Sequence, residues 1–440
     1  MGKPPSFRAF ICLIIFSVLS PTSWMSDLSK QRKDILGSQF AISATPFNKT
    51  FFTLPLTISS ENASYEPSNK HLHEPLHFLN SSWSNLSKPY STRDNLPRWL
   101  KDYIIFHRQS LQNINASNWR NARFLIIRCY HMDKCGGTSD RLKPIPLFLL
   151  YAARYNRVLF IRWTRPYPLE AFLLPVTMNW TVPNWLVPTL IEDSNFSAAG
   201  DSDQLFIKVG RSIGQEELER ALGSSLIIVE AKMQATDGSA SLYRNLLNSM
   251  EINAFTSGYG PEYHSIFRAL FQPSPPVANI INSFFQATGL IPGKYVVAHQ
   301  RALYDVKNMV DAVPRDKVVS QAIHAIHCAS QLHPNVPIFF ASDSAVGIQA
   351  IRTLSASYPR PIVTREADGM PPLHLELDSR NASRQRLPSA FYATFVDLWI
   401  MGSGSCVAYG KGGFGQWGLW IGYNFSCGFN YIGKRCPAVS

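Results

Sequence analysis

Three apolar runs in the second half of the chain are followed by residues that can hold a phosphorylated ligand. His299 and Arg301 follow the first run, Asp343 the second, and the glycine-rich segment 410–415 the third. An arginine can bind a diphosphate through two parallel hydrogen bonds, and a glycine loop at a helix start offers free backbone amides to phosphate. A carboxylate can accept from the donor edge of a purine. Together these residues predict a nucleotide-diphosphate site, although the glycine loop alone is a weak signal and His299 alone also fits a histidine satisfied at a sheet edge.

The elements that must position these residues alternate between strand and helix. Short apolar runs predict the strands, and segments with apolar residues at helical spacing, such as 315–332, predict the helices between them. In a doubly wound parallel sheet the carboxyl ends of the strands meet at one edge, where ligands bind. We therefore predict a Rossmann-like domain over residues 275–440. Its predicted strands are residues 295–298, 337–341, 361–364 and 406–409.

The first half contains a predicted βαβ unit between residues 123 and 175. A buried strand over 124–129 is followed by a glycine turn, a helix over 147–155 and a second strand over 158–163. This unit predicts an N-terminal Rossmann-like domain over residues 96–274. The polar residues that follow its first strand lie at the ligand-binding edge, unless the glycine pair is only a turn and the Asp-Arg pair only solvated. They are Gly136, Gly137, Ser139, Asp140 and Arg141.

Composition and charge limit the kinds of partner that are expected. The chain has 440 residues, 45% of them hydrophobic, and its 42 basic and 30 acidic residues give a formal charge of +12. The excess favours anionic partners such as phosphorylated small molecules, acidic polysaccharides or membrane surfaces. Nucleic acid is not expected, because the basic residues are scattered and no nucleic-acid-binding motif is visible. A Gly-x-Ser-x-Gly elbow and a Walker loop are also absent from the sequence, which disfavours hydrolase and ATPase functions.

The amino terminus predicts entry into the secretory pathway. Lys3 and Arg8 precede an apolar run over residues 10–19 and a small-residue segment, the order of a secretory signal. Residues 1–25 are therefore a signal peptide or a signal anchor, and both cleavage and attachment to a membrane stay open. Residues 26–95, rich in Ser, Asn, Pro and Thr, predict a flexible, disordered stem.

Glycosylation sequons and cysteines agree with that compartment. The six cysteines beyond the signal are even in number, and short loops favour the pairs Cys129–Cys135 and Cys427–Cys436. The alternative for Cys328 is a buried free thiol. Nine Asn-x-Ser/Thr sequons begin at Asn48, Asn62, Asn80, Asn85, Asn115, Asn179, Asn195, Asn381 and Asn424.

Two patterns have the residue types of a metal site. Asp201 and Asp203 form an Asp-x-Asp pair, but no apolar strand precedes them, which favours a solvated loop. His324, His327, Cys328 and His333 have zinc-like identities on a packing helix without a nearby carboxylate. We expect no metal at either place.

Four segments, in order over residues 123–423, resemble the motifs of the fucosyltransferase-like glycosyltransferases. CGGTSDRL resembles their first glycine-rich loop, AHQRALYD their His-x-Arg-x-x-Asp motif, PIFFASDS their strand-end Asp-Ser and YGKGGFGQW their terminal donor loop. The resemblance implies a GT-B fold, in which two Rossmann-like domains face each other. It also implies GDP-fucose as the donor substrate, with no cofactor and no required metal.

The resemblance also assigns roles by position. Arg301 resembles the catalytic, diphosphate-binding arginine, His299 and Asp343 the guanosine contacts, with Ser344 completing the Asp-Ser pair. The donor loop corresponds to Gly412, Gly413 and Phe414. The cleft-facing loop of the acceptor-side domain corresponds to Gly136, Gly137, Asp140 and Arg141.

One departure from the family pattern concerns the segment after Arg301. The family often has a second basic residue and then Asp, whereas Ala302, Leu303 and Tyr304 stand here and Asp305 comes one position late. The candidates for the base that removes the acceptor proton are Asp140, Asp305 and Glu366.

These observations predict an inverting transfer of fucose from GDP-fucose to a hydroxyl of a glycan or glycoprotein in the Golgi or ER lumen. The alternative is a catalytically inactive carbohydrate-binding or cell-surface glycoprotein with the same fold. The altered segment after Arg301 suggests an inactive carbohydrate-binding protein, and the sequon-rich stem suggests a cell-surface glycoprotein.

Overall fold

A computed structural model describes residues 96–130, 135–187, 204–207, 226–230, 260–302, 313–365, 375, 386–422 and 426–437. All of these residues belong to one compact unit. Several predictions fall outside these ranges: the signal segment 1–25, the stem 26–95, the sequons at Asn48, Asn62, Asn80, Asn85, Asn195, Asn381 and Asn424, the pair Asp201 and Asp203, and the base candidates Asp305 and Glu366.

Helices and strands are numbered here in chain order over the described residues. The helices are α1 (Arg98–Asn113), α2 (Thr138–Leu142), α3 (Ile145–Arg154), α4 (Gly260–Leu270), α5 (Pro275–Thr288), α6 (Arg315–Leu332), α7 (Ala345–Ser355), α8 (Tyr392–Met401) and α9 (Gly413–Ile421). The strands are β1 (Phe124–Cys129), β2 (Val158–Trp163), β3 (Leu173–Pro175), β4 (Gln204–Ile207), β5 (Leu226–Glu230), β6 (Phe271–Pro273), β7 (Val296–Gln300), β8 (Ile338–Ser342), β9 (Ile362–Thr364), β10 (Cys406–Tyr409) and β11 (Gly428–Asn430).

The first sheet has four parallel strands in the order β2-β1-β5-β4. Strand β1 is buried along its whole length, as its continuous apolar sequence predicts. Helix α1 buries one face at helical spacing and is fixed to β2 by two side chains. Tyr103 Oη donates to Arg157 O and accepts from Leu159 N, and His107 Nε2 donates to Leu159 O at 2.9 Å.

The second sheet has five parallel strands in the order β11-β10-β7-β8-β9. Val296 and Ala298 of β7 pack in one apolar cluster with α6, whereas Val297 packs in another with α8 and α9. Helices therefore cover both faces, and the predicted α/β class with parallel, doubly wound sheets is confirmed.

Aromatic side chains join elements from the first and second halves of the chain. Phe172 stacks on Phe395 at 4.4 Å between ring centroids, and Phe267 meets Trp417 edge-on at 5.6 Å. Phe267 and Tyr263 lie on α4. Both residues are buried and pack against neighbouring helices.

The cysteine pairing is partly as predicted. The Cys129–Cys135 bond is confirmed, whereas the prediction of Cys427–Cys436 and the alternative of a free Cys328 are both wrong. The reason is the parallel pairing of β11 with β10, which sets Cys427 beside Cys406 at the start of both strands. Strand β11 then carries the chain away, and Cys436 reaches α6. The bonds are Cys406–Cys427 and Cys328–Cys436.

Two of the predicted glycosylation sites, Asn115 and Asn179, are described, and both side chains are exposed. Among the described residues, no helix combines the length and apolar character that a bilayer crossing requires. The proposed division at residues 274 and 275 stays a prediction.

Candidate functional site

The carboxyl ends of β7, β8 and β10 meet at one edge of the second sheet. His299 pairs with Ala341 of β8 on one side and with Tyr409 of β10 on the other. The residues that directly follow these strands therefore start from the same edge, as the sequence predicted. They are Arg301, Asp343 and Gly410.

Arg301 and Asp343 form the charged pair of this edge. Arg301 Nε lies 3.9 Å from Asp343 Oδ2, and the two side chains are 21% and 18% exposed. The other carboxylate oxygen, Asp343 Oδ1, accepts from Ala302 N at 2.7 Å. Asp343 thus holds both the side chain of Arg301 and the backbone that follows it. No hydrogen bond engages the Arg301 guanidinium among the described residues, so its donors remain available to a ligand.

His299 lies inside β7, because the strand runs two residues beyond the predicted end at Ala298. Its side chain is buried, and burial together with the nearby charge of Arg301 lowers the pKa of His299 to about 3. The ring is therefore neutral at physiological pH. It lies 5.7 Å from the ring of Phe414, and no described residue bonds to its Nδ1. A Cβ on Gly415 would lie 2.5 Å from that nitrogen, so only glycine fits there.

The glycine loop ends in helix α9 without a side-chain cap. Gly412 is the cap residue, and its φ of +84° is a left-handed conformation that favours glycine. The first backbone N–H groups of α9 have no intrahelical partner, which makes this terminus suited to an anion. A Cβ on Gly412 would lie 3.0 Å from Arg301 Cδ, so Arg301 lies directly against the loop.

Ser344 has a structural position that the resemblance did not imply. Its buried hydroxyl accepts from Gly347 N at 3.2 Å and caps α7. The preceding strand end is held by a buried network that sequence reasoning missed. Ser342 Oγ donates to Gln300 Oε1, and Gln300 Nε2 donates to Val318 O at 2.7 Å. This network fixes the ends of β7 and β8 from which Arg301 and Asp343 extend.

The loop after β1 lies between the Cys129–Cys135 disulfide and α2. Gly136 has φ +73°, and a Cβ there would lie 2.5 Å from Asp140 Oδ2. That same oxygen accepts from Gly137 N at 2.9 Å, so Asp140 caps α2. Asp140 is therefore engaged in holding its own loop.

Arg141 does not face a cleft as the sequence predicted. Its side chain is fully buried, with Nε donating to Gly136 O at 3.0 Å and a terminal nitrogen donating to Arg165 O. The guanidinium also lies 5.2 Å from the ring of Trp163. The residue positions the loop, because the short helix α2 turns its side chain inward.

Two residues of this loop face the glycine loop of the other half. A Cβ on Gly413 would lie 2.5 Å from Lys143 Nζ and 3.0 Å from Ser139 Oγ. Sequence reasoning placed Ser139 at the ligand-binding edge but missed Lys143. The available signal was a lysine directly after the CGGTSDRL segment, at the end of a loop already assigned to that edge.

Among the described residues, the group of His, Cys, Asp and Glu side chains that converges within 4.8 Å is His324, Cys328 and Cys436. The two sulfurs are bonded to each other, so neither of them is a thiolate that could bind zinc. His333 is elsewhere, with Nδ1 2.9 Å from Ser405 Oγ. The zinc pattern seen in the sequence is therefore a disulfide with a histidine beside it.

Comparison with solved structures identifies the class of fold. A point mutant of Arabidopsis thaliana FUT1 in complex with GDP matches with a TM-score of 0.52 at 13% identity, over 76% of this chain and 79% of that one. POFUT1 in complex with GDP matches over 70% of this chain and 98% of its own, at 13% identity and a TM-score of 0.36. No family of known sequences and no curated protein matches the chain. The FUT1 match shows that the chain has a fucosyltransferase-like GT-B fold.

Proposed function

We propose that this protein is a glycosyltransferase that transfers fucose from GDP-fucose to a hydroxyl of a glycan or glycoprotein, with inversion at the sugar carbon. The observation that carries the proposal is the meeting of Arg301, Asp343 and the Gly412 cap of α9 at one sheet edge. The fold shared with a GDP-bound FUT1 supports the same donor nucleotide.

In this reaction the bond between the fucose carbon and the β-phosphate oxygen breaks while the acceptor oxygen bonds to that carbon. The bonding electrons leave with GDP, so negative charge grows on the diphosphate. Arg301 and the amides of α9 are suited to stabilise this charge, because they are fixed before the charge develops. The acceptor proton passes to a general base. Asp140 is disfavoured for this role, because its Oδ2 already accepts from Gly137 N.

The proposal needs no metal ion and no cofactor. The groups around the glycine loop already supply positive charge, which is the role a divalent ion plays at many diphosphates. Transfer should therefore continue in the presence of a chelator. Manganese-dependent turnover that is lost on Asp203→Ala would contradict this part.

We also propose that the protein acts in the Golgi or ER lumen, as a secreted or membrane-attached glycoprotein. The three disulfides support an oxidising compartment, since such bonds are rare in the cytosol. A reporter fused after residues 1–30 should enter the secretory pathway. A cytosolic, unglycosylated product would contradict the location and leave the reaction untouched.

The test of the reaction is a panel of sugar nucleotides with the purified full chain. GDP-fucose should be hydrolysed slowly without acceptor and consumed faster, by transfer of fucose, when glycoprotein glycans are added, whereas UDP-galactose should not be turned over. Nuclear magnetic resonance of the first product should show the inverted anomer. Binding of glycans without turnover of any donor would favour the inactive carbohydrate-binding protein instead.

A further inference from the structure

Lys143 is a buried cation whose charge no described residue neutralises by contact. The side chain is 8% exposed and follows α2. No hydrogen bond or ion pair engages its ammonium among the described residues, and the ring of Trp420 lies 5.3 Å from Nζ. An unpaired charge away from water costs free energy, whereas a neutral side chain of the same length does not. Such a residue is expected where a ligand supplies the opposite charge.

The ammonium points at the start of α9. The place a Cβ of Gly413 would occupy is 2.5 Å from Lys143 Nζ, and that of Gly412 is 3.0 Å from Arg301 Cδ. These two glycines are adjacent, so one cation from each half of the protein flanks the uncapped first turn of the helix. The two cations differ in their existing partners, because Asp343 already lies near Arg301.

We propose that Lys143 is a second diphosphate-binding residue, which donates to the leaving phosphate from the acceptor-side loop while Arg301 binds it from the donor sheet. This inference rests on the proposed function for the identity of the ligand. The chemical class is a diphosphate ester, or inorganic pyrophosphate as its simplest form. Ser139, whose hydroxyl faces the same glycine, is placed to donate beside it.

A buried chain of hydrogen bonds holds Lys143 and α9 together. Trp417 Nε1 of α9 donates to Tyr263 Oη at 2.7 Å, and Tyr263 Oη donates to Leu142 O at 2.9 Å. Leu142 directly precedes Lys143. The position of the ammonium relative to the glycine loop is therefore fixed through Tyr263. In this arrangement both halves of the protein contribute residues to the diphosphate site.

The protonation of Lys143 responds to the same surroundings. Burial lowers the pKa of Lys143, and the nearby Asp140 carboxylate offsets part of that effect. A bound diphosphate would favour the charged ammonium further, because opposite charges at short range raise the pKa of an amine.

The experiment titrates the purified full chain with inorganic pyrophosphate, GDP and guanosine by isothermal calorimetry. Lys143→Met keeps the aliphatic stem and removes the charge. We expect pyrophosphate and GDP to bind about 10-fold more weakly or worse, as for loss of a charged hydrogen bond, with guanosine unchanged. Lys294→Met is the matched control, because Lys294 is exposed just before β7 at the opposite edge of the sheet.

Thermal melts separate a ligand-binding lysine from a structural one. Without ligand, Lys143→Met should melt at or above the temperature of the unchanged protein, because an unpaired buried charge is removed. Added pyrophosphate should stabilise the unchanged protein more than the variant. Lys143→Gln gives a second neutral variant with the same expectations, should the methionine variant not fold. A lower melting temperature of both variants together with unchanged affinities would overturn the assignment.

The outcomes distinguish this inference from the proposed function. Turnover of GDP-fucose with affinities that do not depend on Lys143 overturns the inference alone. Pyrophosphate binding that depends on Lys143, in a protein that turns over no fucosyl donor, keeps the inference and overturns the reaction. A protein that binds neither GDP nor pyrophosphate contradicts both.

Discussion

The carboxyl edges of the two sheets carry loops of similar composition but different bonding. At the first edge, Asp140 and Arg141 bond to the backbone of their own loop and to Arg165 O. At the second edge, the ion pair that Arg301 makes among the described residues is a contact at 3.9 Å with Asp343, and no described side chain caps the amides of α9. At the first edge the aspartate and arginine side chains thus form a structural support, because they bond to nearby backbone groups. The same residue types form a candidate binding site where bonds are left for a ligand.

Lys143 is the exception at the first edge, because its ammonium points towards Gly413 in the glycine loop of the second edge. The comparison therefore predicts three outcomes. Substitutions in the loop at the first edge should lower stability, and substitutions at the second edge should lower turnover. Substitution of Lys143 should have the effect expected at the second edge.

The largest expected effect concerns the disulfides. Cys328–Cys436 joins residues 108 apart and Cys129–Cys135 joins residues 6 apart. In the chain-entropy account, removing the first bond by double alanine substitution lowers the free energy of unfolding by about 5 kcal/mol, and removing the second by about 2 kcal/mol. Chemical denaturation measures both. Of the two losses, only that of Cys129–Cys135 should also lower turnover, because this bond closes the loop at the ligand-binding edge. Equal turnover of the two double variants would contradict the comparison between the edges.

Arg141→Met tests the loop at the first edge directly. The substitution keeps an apolar stem beside Trp163 but leaves the carbonyl groups of Gly136 and Arg165 without their donor, which costs about 3 kcal/mol of unfolding free energy. Urea denaturation measures this loss. Arg154→Met, at the exposed end of α3, is the control and should change stability by less than about 0.5 kcal/mol. A stable Arg141→Met variant with poor donor binding would mean that Arg141 contacts ligand.

The smallest expected effect is on the pH dependence of stability, to which one buried histidine in each half contributes. Burial lowers the pKa of His107 to about 4 and that of His299 to about 3, below the value of about 6.5 in an unfolded chain. Between these limits the unfolded state binds protons that the folded state does not. Stability should therefore fall as pH drops from about 6.5 towards 4. His107→Gln, which does not titrate, should lessen the slope by up to about 1.4 kcal/mol per pH unit. An unchanged slope in equilibrium unfolding would contradict the buried neutral state of His107.

Sequence patterns predicted the elements with the strongest periodicity. The strand over residues 124–129 and the helix over 315–332 are found with the expected bounds, because continuous apolar runs and a one-sided apolar face leave few alternatives. The meeting of Arg301 with Asp343 also followed from sequence, since parallel strands share a carboxyl edge.

The features that the sequence missed depend on contacts between distant segments. The pairing of Cys328 with Cys436 follows from the parallel placement of β11, which no local pattern specifies. The inward direction of Arg141 depends on the turn of a five-residue helix. The role of Lys143 requires the packing of α9 against the loop after β1 through Tyr263.

The central claim is that Arg301 and the glycine loop bind the diphosphate of a sugar nucleotide. The most direct measurement is the initial rate of fucose transfer by Arg301→Ala, paired with a thermal melt. We expect a loss of about 10²-fold or more, as for removal of one transition-state donor, and an unchanged melting temperature because the side chain is partly exposed and lacks hydrogen bonds among the described residues. Arg301→Lys should recover only part of the rate, since it keeps the charge but not the two parallel donors. Full turnover by a folded Arg301→Ala variant would contradict the claim and mean that the donor site lies elsewhere.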